Sequence, residues 1–88
     1  MEISTCEVSG GKTNYKKESI ESFSEAMCIL VFGTFSFKTG NDKFIFSRNE
    51  RGEIECEYRF SGIFQKTFSG EEVEKIFERL LKKDKEVA

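Results

Sequence analysis

The sequence predicts one α+β domain: a small, mainly antiparallel β-meander of three to five strands with one aromatic face covered by a C-terminal amphipathic helix. Three observations predict it. The C-terminal segment repeats its apolar positions on a helical period. Residues 35–60 alternate instead on a period of two. Two separate turn assignments then place the aromatic residues of that stretch on one side. The 88 residues, 38% hydrophobic and 34% charged, suffice for a single core and are too apolar for a disordered chain.

Taken in chain order, residues 2–8 form a candidate strand in which Ile3 is the strong inward residue, and residues 9–14 read as a loop. Ser22-Phe23-Ser24-Glu25 has the spacing of a capping box, which predicts a short helix over 18–25. Residues 26–32 are apolar at every position and rich in strand formers. They predict one long strand over 26–38, kinked or bulged at Gly33, with a helix from 19 to about 31 as the alternative.

Phe35 and Phe37 alternate with Ser36 and Lys38, and Gly40-Asn41 fits a two-residue hairpin loop. That loop pairs Phe37 with Phe44 and Phe35 with Phe46. Glu50-Arg51-Gly52 suits a three-residue hairpin, which pairs Phe46 with Cys56 and Phe44 with Tyr58. Both turns therefore agree on one aromatic face. The opposite face carries Ser36, Lys38, Lys43, Ile45, Ser47, Glu53, Glu55, Glu57 and Arg59. Ser61-Gly62 is placed to open a fourth strand over 63–68, although its alternation is poor.

The C-terminal helix begins with Ser69 as N-cap and Glu72 three residues on. Val73, Ile76, Phe77, Leu80 and Leu81 follow as one apolar stripe. Glu71 and Glu72 in the first turn and Lys82, Lys83 and Lys85 near the end suit the helix dipole.

Composition narrows function by exclusion. The chain has no histidine, which removes His-based triads, Cys–His dyads and most catalytic zinc sites. No cofactor or metal is expected: Cys6, Cys28 and Cys56 are widely spread and lack a Cys-x-x-Cys pair, so they read as free thiols. The net charge of −2 provides no basic surface for duplex nucleic acid. Residues 1–10 lack the pattern of a secretory leader and no apolar run approaches a membrane span; a cytoplasmic, membrane-independent protein is expected. Gly11-Lys12-Thr13 ends like a phosphate-binding loop, but the required earlier glycine is Cys6, and an ordinary glycine turn accounts for it better.

What remains is a non-enzymatic module that occupies a partner protein's surface. Small inhibitors carried by phages and mobile elements, aimed at host nucleic-acid-binding or defence proteins, have this compositional profile. The candidate binding residues are Glu53, Glu55 and Glu57, which on one strand face stand about 6.6 Å apart and resemble a run of backbone charges. Cys28, Leu30 and Phe32 join them, since a strand over 26–38 would turn them onto the polar face. Two alternatives are kept. Lys38, Lys43 and Arg59 would serve a single-stranded nucleic-acid binder, the minor reading because glutamates interleave them. Cys28, Leu30 and Phe32 would serve a homodimer.

Overall fold

The computed structural model describes residues 1–31 and 33–87. Six strands and two helices follow one another as β1 (Glu2–Ser9), β2 (Lys12–Ser19), α1 (Phe23–Leu30), β3 (Gly33–Thr39), β4 (Asp42–Arg48), β5 (Ile54–Phe60), β6 (Ile63–Ser69) and α2 (Glu71–Val87). The strands form one sheet in the order β2-β1-β3-β4-β5-β6, and every neighbouring pair is antiparallel. The fold is thus a small α+β arrangement with an antiparallel sheet, and its six strands exceed the three to five expected.

The meander has the register that its turns predict. Phe35 faces Phe46 and Phe37 faces Phe44; Phe46 faces Cys56 and Phe44 faces Tyr58. Paired residues share a sheet face, so these side chains line one side. Phe35 and Phe46 stack with centroids 4.7 Å apart. Phe77 of α2 meets both rings edge-on, at 6.3 and 6.0 Å, and Phe23 of α1 leans on Phe77 at 5.4 Å. Two helices therefore share this side, where a single C-terminal helix was expected. The buried cluster takes residues from both ends of the chain: Ile3, Ala26, Leu30, Phe35, Phe46, Cys56, Val73 and Phe77 are essentially inaccessible.

Three expectations are corrected. First, residues 26–30 are helical and do not extend β3. Ser22 caps α1, its hydroxyl accepting from the Glu25 N–H at 3.3 Å, while the Glu25 carboxylate accepts from the Glu21 N–H at 3.0 Å. Ala26 and Leu30, one turn apart, then bury against the sheet. The helix lies later than the 18–25 expected, and residues 18 and 19 belong to β2. Second, the loop expected over 9–14 contracts to a two-residue hairpin turn: Gly10 and Gly11 take positive φ, and Lys12, Thr13 and Asn14 already pair with β1. Third, Ser69 is the last residue of β6, and α2 starts beyond Gly70, whose φ of 63° makes the bend.

The N-terminus is tied into the same corner. The Met1 amino group donates to the Ile20 carbonyl at 2.9 Å and lies 3.4 Å from the Asp84 carboxylate, joining β1, the end of β2 and α2. No described helix is long and apolar enough to cross a membrane.

Candidate functional site

Both helices occupy one side of the sheet, and among the described residues no element covers the other. Its residues follow from the register: Ser4 opposite Lys17 and Ser36, Cys6 opposite Tyr15 and Thr34, Ile45 opposite Ser36 and Glu57. The centre of this face is small and polar.

The expected acidic row does not form as one row. Glu53 precedes β5; its N–H donates to Asn49 Oδ1 at 3.0 Å, which places it in the turn. Glu55 and Glu57 do lie on the open face, but both are engaged. Asn49 Nδ2 donates to Glu55 Oε1 at 3.0 Å, and Arg59 Nε donates to Glu57 Oε2 at 2.6 Å. Glu55 also pairs with Ser69, which brings the start of α2, with Glu71, Glu72 and Glu74 in its first turn, to the same end of the sheet as Glu53. Acidic side chains therefore gather at this end, without the regular strand spacing.

The patch expected from Cys28, Leu30 and Phe32 is also corrected. Helix geometry sends Leu30 into the core at 2% exposure and leaves Cys28 exposed on the outer side of α1. Phe32 lies outside the described residues. The three cysteines do not converge: Cys6 is on the open face, Cys28 on α1 and Cys56 in the core. Among the described residues no three His, Cys, Asp or Glu side chains are grouped to hold a metal ion.

Lys38, Lys43 and Arg59, by contrast, come together. Lys38 is directly opposite Lys43, Lys43 is opposite Arg59, and Arg59 is opposite Phe64 on the outermost strand. Like charges facing each other across strands destabilise a sheet. Glu57 neutralises Arg59, and among the described residues neither lysine makes an ion pair.

This cationic row ends at a feature that sequence reasoning missed. Phe60, Ile63 and Phe64, at 47%, 66% and 51% exposure, flank the two-residue turn Ser61-Gly62. Ser61 and Gly62 both take positive φ, 50° and 83°, as a tight hairpin turn of this length demands. Phe60 pairs with Ile63 on the helix-covered side, and Phe64 lies on the open side. The tip is held in place: the Ser61 N–H donates to the Asn41 carbonyl at 2.8 Å, and Arg59 Nη1 donates to the Gly62 carbonyl at 3.3 Å. An irregularity in β6 explains the poor alternation. Arg59 faces Phe64 but Tyr58 faces Lys66, so Gln65 is an extra residue. This bulge lets Phe64 point outward and Phe68 inward.

Behind the tip, Tyr58 donates to Asp42 Oδ1 at 2.6 Å. That hydrogen bond to Asp42, with some burial and the carboxylate charge, raises the Tyr58 phenol above its ordinary value of 10.0. Burial, aided by Glu57, pushes the Cys56 thiol up to about 12. No protein-family model, curated protein or solved structure matches this chain.

Proposed function

We propose that this chain is a non-enzymatic protein-binding module that docks the β5–β6 hairpin tip into an apolar socket on a partner protein. The observation that supports this reading is the cluster of Phe60, Ile63 and Phe64, exposed together around a braced turn. Single exposed apolar side chains are ordinary, whereas adjacent ones mark contact sites. Large apolar anchors on a preformed support cost little ordering entropy on binding. Lys43, beside the Arg59–Glu57 pair, favours a socket with an acidic residue on its rim.

The partner class is a cytoplasmic protein whose surface the module occupies, of which a host nucleic-acid-binding or defence protein is the particular form. The acidic end formed by Glu53, Glu55 and the first turn of α2 would serve there as the secondary contact. Capture of a discrete protein by the tagged chain, insensitive to nuclease and abolished by Ile63→Ser/Phe64→Ser in a folded variant, is the expected outcome. Capture unaffected by the tip substitutions contradicts the assignment.

One observation favours a second reading. The Lys38–Lys43–Arg59 row ending in Phe64 combines charges for phosphates with a ring for base stacking. A single-stranded nucleic-acid binder of this kind loses affinity steeply with salt, with a logarithmic slope of about −2 for three phosphate contacts. Salt-insensitive or absent oligonucleotide binding disposes of it.

A further inference from the structure

A pocket of about 390 Å³ opens between the β4–β5–β6 corner and the C-terminal half of α2. Its floor is aromatic: the Phe44 and Tyr58 rings stack at 5.0 Å and 27°. Phe68, Ile76 and Leu80 complete the apolar lining. The pocket exists because α2 crosses the sheet over Phe35 and Phe46 and leaves Phe44 and Tyr58 only partly covered. Its size is that of ordinary small-ligand sites, which join an apolar body to a few polar groups.

The polar groups define the ligand. Arg79 and Lys83, one helical turn apart, stand at the rim, and among the described residues neither makes an ion pair. Lys66, outside the lining itself, holds its ammonium 4.8 Å over the ring of Phe68, which does line the pocket. The carboxylate lining the pocket, Asp42, already accepts a hydrogen bond from the Tyr58 hydroxyl at 2.6 Å. A cationic ligand would meet the like charges of Arg79 and Lys83. An anionic one meets two unpaired cations at the mouth and aromatic faces below.

We propose that this pocket binds a small amphipathic monoanion, a flat apolar body carrying one carboxylate, sulfonate or phosphate group that rests between Arg79 and Lys83. This is separate from docking by the hairpin tip and uses different residues.

The test compares 1-anilinonaphthalene-8-sulfonate with its uncharged analogue N-phenyl-1-naphthylamine. Both are titrated into the folded wild type, Arg79→Gln/Lys83→Gln and Ile63→Ser/Phe64→Ser, with backbone amide shifts read in parallel. The sulfonate is expected to bind saturably and to shift the amides of Phe44, Tyr58 and Phe68. The Arg79/Lys83 variant should weaken it about ten-fold or more and leave the uncharged analogue unchanged. The tip variant should bind both as the wild type does. Equal sulfonate affinity in the Arg79/Lys83 variant, loss of binding in the tip variant, shifts centred elsewhere or no saturable binding each overturns the proposal.

Discussion

Gly33 begins β3 in direct contact with the Cys6 backbone of β1. A Cβ at Gly33 would be driven into the Cys6 carbonyl oxygen and would lie 3.2 Å from the Glu7 Cα. Unlike the turn glycines, Gly33 has no positive φ, so the requirement is steric. The close approach lets β3 pair with β1 immediately after the α1 connection, from Glu7 opposite Gly33 to Ser4 opposite Ser36. Gly33→Ala must push the two strands apart, and we expect a loss of about 1–3 kcal/mol, read from the urea midpoint. A neutral substitution would show that this junction relaxes freely.

Phe77 is the residue through which both helices and the sheet meet, its ring touching Phe23, Phe35 and Phe46. Phe77→Ala should cost about 3–5 kcal/mol, enough to unfold much of a domain of this size. A loss under about 1 kcal/mol in denaturant unfolding would mean that α2 is not integral to the core.

Cys56 and Cys28 should differ sharply toward a thiol reagent. Cys28 is exposed and should react at once; Cys56, fully buried and with its pKa pushed up to about 12, should react only as fast as the chain opens. The raised value also sets a sign. As pH climbs past the ordinary thiol value of 9.0, the unfolded chain releases the Cys56 proton first, so this group's contribution to stability falls between about 9 and about 12. Cys56→Ala should remove that portion of the alkaline decline.

Tyr58 and Asp42 supply a spectroscopic check on the corner behind the tip. The chain has two tyrosines, so Tyr15→Phe leaves Tyr58 alone to titrate in the ultraviolet. Its midpoint should lie above 10.0 and move down when Asp42→Ala removes the hydrogen bond and the charge. An unchanged midpoint in Asp42→Ala would break the link between the two.

These expectations also show which parts of the fold could be read from sequence. The β3–β4–β5 meander was legible because Gly40-Asn41 and Glu50-Arg51-Gly52 pin the register and the aromatics alternate between them. The β1–β2 hairpin was not. Residues of β2 are nearly all exposed, and an edge strand built as Lys-Thr-Asn-Tyr-Lys-Lys-Glu-Ser carries no apolar alternation to announce itself. Residues 26–30 misled for the opposite reason. Every position is apolar, so the period is invisible, and only the Ser22 cap and the Gly33 contact separate helix from strand. At the site, Lys38, Lys43 and Arg59 share one face, which the legible hairpins on which they ride already predict. Glu53 was assigned to the strand when it belongs to the turn. The tip escaped notice because Ser61-Gly62 marks a turn without revealing that β6 is the outer edge. There, Ile63 and Phe64 have no further strand beside them.

The most direct test of the central claim is quantitative capture from extract by the wild-type chain, Ile63→Ser/Phe64→Ser and Glu55→Lys/Glu57→Lys side by side, each verified as folded and each run with and without nuclease. The docking account predicts one protein recovered by the wild type in both arms, reduced at least about ten-fold by the tip variant and less by the glutamate variant, whose carboxylates are already engaged by Asn49 and Arg59. Full recovery by the tip variant, or recovery that vanishes with nuclease, would contradict it.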